Sequence, residues 1–147
     1  MTIHTTSFQH LDIETLYDML QLRSEVFVVE QNCVYQDLDG IDKKAMYSWI
    51  AEEGQMVACA RFFMKNQRRK IVQIGRLVVA KNQRRKRYAS FLMRCIMENA
   101  KRFYGARQLY LEAQTYAIPF YERLGFKVCS EEFLEDGIPH VKMECEV

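Results

Sequence analysis

The chain has 147 residues, of which 49% are hydrophobic and 27% charged, and its formal net charge is +2. This length suits one domain with its own core, and the low proline and glycine content excludes long linkers. No apolar run reaches the length of a signal peptide or a membrane span, so we expect a cytoplasmic protein without a membrane partner. Five scattered cysteines indicate reduced thiols used as small core residues, and three histidines without a cluster argue against a metal site.

The first half of the chain predicts a strand, a helix, a loop and a hairpin. A strand is expected over 3–8, and Asp12 is a suitable N-cap for the helix that follows. The apolar residues that recur at helical spacing are Ile13, Leu16, Tyr17, Leu20 and Phe27. Residues 30–44 lose this period and predict a loop. Strands over 47–52 and 56–64 then follow, joined by a tight turn.

The second half predicts a strand–helix alternation. Strand 71–80 contains the continuous apolar run Leu77-Val78-Val79, so it should be covered on both faces. Helix 88–103 should end at Gly105. The remaining predicted elements are strand 109–111, helix 115–124 capped by Thr115 with Pro119 in or next to its first turn, and strands 126–130 and 141–145 separated by the turn Asp136-Gly137-Ile138-Pro139. This order indicates a mixed α/β domain with helices packed on a central sheet.

Basic residues are concentrated in the middle of the chain. The segment 61–107 holds 15 of the 21 basic residues and a single acid, Glu98. We therefore expect this segment to meet an anion, although a solvated basic face is equally compatible with the charge alone. The acidic flanks should favour a cation such as a protonated amine. The candidate acids are Asp37, Asp39, Asp42, Glu135 and Asp136.

The basic loop 81–87 joins a buried strand to the N-terminus of the clearest helix. The first turn of a helix offers unpaired backbone N–H groups and the positive end of the helix dipole, which together suit a phosphate group. Five basic side chains surround this position, namely Lys81, Arg84, Arg85, Lys86 and Arg87. Neither a Walker A loop nor a dinucleotide-binding glycine pattern is present.

Residues 79–93 (VAKNQRRKRYASFLM) resemble the pyrophosphate-binding segment of GNAT acetyltransferases, whose pattern is Arg/Gln-x-x-Gly-x-Gly/Ala. Arg84 matches the first position and Ala89 the last, while Arg87 replaces the middle glycine. Glycine at that position allows close backbone approach and unusual dihedral angles. The substitution therefore raises the question of how this loop is shaped.

Two further segments carry the same resemblance. Residues 112–126 (EAQTYAIPFYERLGF) are similar to the second cofactor motif of the family, in which Tyr121, Gly125 and Phe126 match. Residues 22–42 and 135–143 resemble the ElaA/YjcF-like group within GNAT proteins. The likeness extends from about residue 20 to the C-terminus.

The resemblance implies one GNAT domain over 1–147. Its fold would be a central, mostly antiparallel sheet of about 6–7 strands flanked by about four helices. It further implies direct transfer of an acetyl group from acetyl-CoA to a primary amine of a small molecule or peptide, without a metal. A homodimer is expected by analogy only.

The resemblance also assigns residues. Tyr121 would be the general acid, with a core aromatic as the alternative, and Glu112 or Glu30 the base acting through water. The residues expected to bind acetyl-CoA are Leu77, Val78, Val79, Arg84, Arg85, Lys86, Arg87, Tyr88, Ala89, Ser90, Gln114 and Phe120. Those expected to bind the acceptor are Arg23, Glu30, Gln31, Arg61, Arg76 and His140. Two other functions remain open, a catalytically silent CoA sensor and a nucleic-acid-binding module that uses the basic segment 65–87.

Overall fold

The computed structural model describes residues 1–147, in which eight strands form one sheet and three α-helices pack against it. The strands are β1 (Thr2–Ser7), β2 (Met46–Glu52), β3 (Gln55–Asn66), β4 (Ile71–Val79), β5 (Gln108–Gln114), β6 (Lys127–Val128), β7 (Phe133–Glu135) and β8 (Ile138–Glu146). The helices are α1 (Ile13–Arg23), which continues as a π-helix over Ser24–Glu30, α2 (Tyr88–Tyr104) and α3 (Ile118–Arg123). None of the helices has the length and hydropathy of a membrane-spanning segment.

The sheet order is β1-β2-β3-β4-β5-β8-β6, and β7 pairs with β8. All neighbouring strands are antiparallel except β4 and β5, which are parallel. The prediction of a mixed α/β fold with a mostly antiparallel sheet is therefore confirmed.

Helix α2 packs its buried residues into the core on one face of the sheet. Leu92, Met93 and Ile96 are fully buried there. Each such side chain stabilises the fold by about 1.5–3 kcal/mol relative to an exposed one. Gly105 follows the helix with φ of 64°, the left-handed conformation that favours glycine at a C-cap. The predicted end of this helix is confirmed.

Strand β3 is buried on both faces because α1 and α2 lie on opposite sides of the sheet. Ala58, Ala60 and Phe62 pack on the α2 side, whereas Cys59 and Phe63 pack on the α1 side. The apolar run Leu77-Val78-Val79 of β4 is also covered on both faces of the sheet. Its Val78 side chain joins the α1 side, and its two neighbours pack toward α2. The expectation that this run is covered on both faces is confirmed.

The buried face of α1 differs from the apolar stripe that the sequence suggests. Ile13 is 85% exposed and Tyr17 is 68% exposed. The buried residues are instead Met19, Leu22 and Arg23. An arginine inside the core breaks the apolar period, so periodicity alone points to the wrong face of this helix.

The predicted helix 115–124 is shorter than expected. Thr115–Ala117 forms a 3-10 turn, and α3 begins only at Ile118, with Pro119 in its first turn. Thr115 provides no side-chain cap. The ring of a proline obstructs the preceding helical turn, so Pro119 sets the start of α3 rather than lying inside a longer helix.

The predicted turn at the C-terminus is tighter than expected and joins β8 to an additional strand, β7. The turn consists of Asp136 and Gly137 alone, with φ of 50° and 77°. These positive φ values suit the two-residue turn that joins β7 to β8. Ile138 and Pro139 already belong to β8, where they pair with Glu135 and Leu134. The strand predicted over 126–130 is reduced to β6.

The cysteines are all free. Cys59 is buried, whereas Cys129 is exposed and the other three are partly exposed. The prediction that cysteines act as small core residues is therefore right for Cys59 alone.

Candidate active site

Strands β4 and β5 are neighbours that separate along their length. They pair only through residues 71–73 and 108–110. Beyond that point, β4 continues against β3, and β5 continues against β8. The backbone groups on the facing edges of the two strands therefore lack a partner in the sheet and remain available to a bound molecule. This gap opens into a cavity of about 730 Å³.

A β-bulge in β4 lies beside the gap. The register shifts from Gly75 opposite Arg61 to Val78 opposite Cys59, which places one extra residue on β4. Arg76, within the bulge, has φ of 52°. A bulge bends a strand and increases its twist, so it contributes to the divergence of β4 from β5.

A smaller cavity of about 310 Å³ lies at the N-terminus of α2. Its lining residues include Arg85, Arg87 and Ser90. Arg87 is the N-cap but makes no side-chain cap, so the first-turn N–H groups of α2 have no partner from it. These open amides and the surrounding guanidinium groups fit an anion.

Arg87 adopts the backbone conformation that glycine would take at this position. Its φ is 64° and its ψ is 18°, in the left-handed region. This conformation costs a non-glycine residue about 1–2 kcal/mol. The shape of the loop is thus kept despite the substitution, and the arginine adds a positive charge beside the open amides.

Arg84 connects the two cavities and lines both of them. Its guanidinium donates to both carboxylate oxygens of Glu30, at 2.5 and 2.8 Å, and to the carbonyl oxygen of Val79 at 3.2 Å. The hydrogen bond from Arg84 lowers the pKa of the Glu30 carboxyl below its usual value. Of the two predicted bases, Glu30 is therefore already engaged by an arginine of the anion-binding loop.

Tyr121 lies in the wall of the larger cavity. Its ring packs edge-to-face against Phe120 at 5.0 Å and against Phe126 at 6.1 Å. Burial raises the pKa of its phenol above the ordinary value of 10.0. The hydroxyl therefore keeps its proton at neutral pH and acts there as a hydrogen-bond donor.

One end of the larger cavity is acidic. Glu112, Glu135 and Asp136 line it together with His140. His140 Nδ1 lies 2.7 Å from the carbonyl oxygen of Ile138, and its Nε2 lies 3.5 Å from the Glu135 carboxylate. Burial, followed by the charge of Glu112, raises the pKa of Glu135. This end favours a positively charged group.

Arg23 lies behind the cavity rather than in it. Its side chain is fully buried and donates to Asp37 at 2.9 Å and to Asp42 at 2.7 Å. Tyr47 also donates to Asp42. These contacts tie the loop after the π-helix to the sheet, so Arg23 supports the cavity wall.

Two further arginines complete this ion-pair network. Arg61 binds Asp39 at 2.6 Å and Asp42 at 2.9 Å. Arg76 binds Asp37 at 2.8 Å. Three arginines thus neutralise three aspartates. The expectation that these aspartates attract a cation is wrong, and only the acids at the other end of the cavity are free to do so.

The network should make the protein sensitive to acid. The Arg61 hydrogen bond lowers the pKa of Asp39 from 3.8 to about 2. Because the folded-state pKa is depressed, this stabilisation is present above the unfolded value and lost as the pH falls toward the folded value. We expect the free energy of unfolding to fall between these two pH values, and Asp39→Asn to flatten the fall. Denaturant titrations at several pH values measure the free energy of unfolding, with the exposed Asp18→Asn as control. Equal acid sensitivity in both variants would contradict the assignment.

The structure brings most of the predicted residues together. Those that line the larger cavity are Leu77, Val78, Val79, Arg84, Ala89, Glu112, Gln114, Phe120, Tyr121, Glu30, Gln31, Arg61, Arg76 and His140. Those in the smaller cavity include Arg85, Arg87, Tyr88 and Ser90. Arg23 and Lys86 line neither cavity, and Lys86 donates instead to Gln83 at 2.8 Å.

Sequence reasoning missed several residues of the larger cavity. Phe63, Gln73 and Gly75 line it together with Arg61. Alternate residues of a strand share one face, so the position of Arg61 predicts Phe63 on β3. Gln73 and Gly75 become predictable only with the register of β4 against β3.

A family model described as "Acetyltransferase (GNAT) domain" matches residues 13–147. The chain therefore belongs to the GNAT acetyltransferase family.

Similar proteins indicate the group within the family to which the chain belongs. The chain is 42% identical to the UPF0039 protein C11D3.02c of Schizosaccharomyces pombe, covering 95% of this chain and 93% of that protein. It is 38% identical to the protein ElaA of Escherichia coli, covering 93% and 91%. It is 35% identical to the uncharacterized N-acetyltransferase YjcF of Bacillus subtilis, covering 88% and 91%. The resemblance to the ElaA/YjcF-like group is confirmed.

Solved structures agree with this grouping. The crystal structure of Escherichia coli ElaA has a TM-score of 0.92 and 34% identity, covering 99% of each chain. An acyl-CoA N-acyltransferase from Pseudomonas aeruginosa has a TM-score of 0.91 and 34% identity, also covering 99% of each chain. The sheet with its separated strands is thus shared with the GNAT fold.

Proposed function

We propose that this chain transfers an acetyl group from acetyl-CoA directly to a primary amine of a small molecule or peptide. The observation that carries the proposal is the continuity of the site. An anion-binding helix N-terminus, the open edge of β4 and the Tyr121 hydroxyl all border the space between β4 and β5. A donor with a diphosphate, an amide-containing arm and a thioester fits this order of features.

The chain's own residues can hold each part of such a donor. The first-turn amides of α2, with Arg84, Arg85 and Arg87, fit the diphosphate. The open edge of β4 at Leu77 and Val79 fits the amide groups of the arm as an added strand would. Acetyl-CoA supplies an activated acyl carbon when bound.

The site residues then meet the three demands of acyl transfer. The acceptor amine must lose a proton before attack, and Glu112 can remove it through a water molecule. A backbone N–H on β4 stabilises the negative oxygen of the tetrahedral intermediate. Tyr121 donates its proton to the sulfur as the bond between the sulfur and the acyl carbon breaks, so that CoA leaves as the thiol. The proton that the nitrogen loses as the amide forms returns to the phenol oxygen through water.

The two alternative functions lose their main support. The repeated KNQRRK segments, 65–70 and 81–86, lie at opposite ends of β4, which has nine residues. A strand of that length extends about 30 Å, so the segments do not form one continuous basic surface. The left-handed backbone at Arg87 shows that the loop takes this conformation without glycine, which weakens the argument for a silent sensor.

The binding of acetyl-CoA can be tested separately from the transfer of its acetyl group. We expect Arg85→Gln to weaken the binding of acetyl-CoA about tenfold, because Arg85 lines the smaller cavity and the change removes a charge-assisted hydrogen bond to phosphate. Isothermal titration calorimetry measures the dissociation constant. Arg68→Gln, in the first KNQRRK segment, is the matched control and should bind normally. Equal weakening by both variants would indicate a general charge effect and contradict the assigned site.

Release of free CoA thiol with a panel of primary amines tests the reaction. We expect release only when an amine is present. A folded chain that binds no acetyl-CoA at millimolar concentration, or that releases no thiol with any amine, would overturn the proposal.

A further inference from the structure

The guanidinium of Arg61 has one donor that the protein leaves unused. Its side chain is only 4% exposed. Both terminal nitrogens are occupied, Nη1 by Asp39 and Asp42 and Nη2 by Asp39. Nε is the one buried side-chain polar atom of the chain without a hydrogen-bond partner. A buried donor without a partner costs about 1–3 kcal/mol, so a molecule that supplies an acceptor here would be bound more tightly.

Gly75 leaves space between this buried donor and the cavity. Gly75 lies opposite Arg61 on β4 and lines the same cavity. A Cβ built on Gly75 would lie 4.0 Å from Arg61 Nε and would touch nothing else within that distance. The other five glycines have positive φ, but Gly75 does not. The backbone therefore does not require glycine here, and its effect is to leave open space beside Nε.

The surroundings select the charge of the group that would fill this space. Arg61 is already neutralised by its two aspartates, and the Asp39 carboxylate is partly exposed beside the same cavity. A carboxylate brought to Nε would lose its hydration without a net positive charge to compensate it, because the network around Arg61 is already neutral. An uncharged oxygen, either an amide carbonyl or a hydroxyl, accepts the hydrogen bond at a smaller cost of desolvation.

The acidic end of the cavity lies across the sheet from this donor. Gln73 pairs with Tyr110, so Gly75 and Glu112, two residues further along each strand, lie on the same face of the sheet. Arg61 and Glu112 are thus two strands apart, a distance of at least roughly 10 Å, because β4 and β5 have begun to separate at this point. A molecule that spans this distance can place an amine near Glu112 and an oxygen at Arg61.

We infer that Arg61 Nε and Gly75 form a subsite for an uncharged oxygen of the acyl acceptor. The acceptor would be a primary amine that carries an amide or hydroxyl group roughly 10 Å from its nitrogen, two strand spacings away. This inference rests on the proposed acetyl transfer and adds the class of its acceptor.

Three matched amines test the subsite. 6-Aminohexanamide carries the uncharged oxygen, hexylamine lacks it, and 6-aminohexanoate carries a carboxylate instead. We expect kcat/KM for the amide to exceed that of the other two by roughly tenfold, the contribution of one hydrogen bond to a charged group. Equal values for all three amines would overturn the subsite.

Gly75→Ala tests the geometry without disturbing the fold. The added methyl group would make an ordinary contact with Arg61 Nε and cover it. We expect the preference for the amide over hexylamine to fall several-fold, while the melting temperature and the dissociation constant for acetyl-CoA stay unchanged. A loss that is equal for both amines would show only a narrower cavity and contradict the subsite. Arg61→Lys, which keeps the charge but has no Nε–H, should lose the same preference, with the exposed Arg102→Lys as control.

Nuclear magnetic resonance provides a readout independent of catalysis. The ¹⁵N–¹H resonance of Arg61 Nε, assigned by its absence in Arg61→Lys, should shift when 6-aminohexanamide is added and stay in place with hexylamine. An unmoved resonance at millimolar amide would overturn the inference even if the enzyme acetylates other amines. The reverse result, a shift without any thiol release, would leave the subsite standing and overturn the proposed acetyl transfer.

Discussion

Tyr121→Phe is expected to lower turnover about 100-fold, because it removes only the hydroxyl that we propose as the proton donor to the leaving sulfur. The phenylalanine ring keeps the edge-to-face packing against Phe120 and Phe126. Folding and the binding of acetyl-CoA should therefore be nearly unchanged. Because burial raises the pKa of this phenol, the wild-type protein should keep its proton-donating form up to at least pH 10.0, the ordinary value. Any loss of activity on deprotonation should occur above that pH and be absent from the variant.

Thiol release in a single turnover, with the dissociation constant measured separately, distinguishes this role from a structural one. Tyr104→Phe is the matched control. Tyr104 also has a pKa raised by burial and packs edge-to-face against Phe62, at 6.0 Å, but it lies outside both cavities. An unchanged turnover in Tyr121→Phe, or an equal loss in both variants, would refute the assignment of Tyr121.

Arg23→Met is expected to destabilise the chain by about 3–5 kcal/mol, the range measured when one partner of a buried ion pair is removed. The side chain is 0% exposed, and its loss leaves buried carboxylates of Asp37 and Asp42 with fewer partners. Urea unfolding gives the free energy directly. The exposed Arg102→Met is the control and should change stability little. A loss below about 1 kcal/mol would mean that the network adds little to the fold.

A second substitution shows whether the stability lost in Arg23→Met comes from an unpaired buried charge or from a packing defect. Asp42→Asn in the Arg23→Met background removes one of the carboxylates that the first change leaves behind. We expect the double variant to be more stable than the single one, because the uncompensated charge is the larger part of the penalty. Additive destabilisation would instead assign the loss to packing around α1.

The basic loop 81–87 shows what local sequence alone can predict. Strand 71–79, the basic loop and helix 88–104 are nearly continuous in the chain, and their pattern predicted the helix that the structure has. Phosphate binding at its N-terminus stays a prediction. The sequence raised the question of Arg87 but did not answer it. Its left-handed conformation depends on the path between two packed elements, which only the folded chain defines.

The acceptor side of the site was far less predictable. Arg23, Arg61 and Arg76 were expected to meet the acceptor, yet they pair with aspartates from a loop that shows no regular pattern. Charged residues give no periodic signal that separates a buried partner from an exposed one. The sequence-based interpretation therefore treated these aspartates as free.

The sequence by itself determined the mixed α/β element order and the helix α2, because these depend on hydrophobic period and capping residues. Short motifs that resemble those of GNAT proteins indicated the family, its mostly antiparallel sheet and the place of Tyr121 in the second motif. Only the tertiary structure decided which arginines are neutralised, that Glu30 binds Arg84, and that Gly75 leaves the Arg61 donor open. These features join residues from separate strands and loops, and their geometry follows from sheet register and packing rather than from neighbours in the chain.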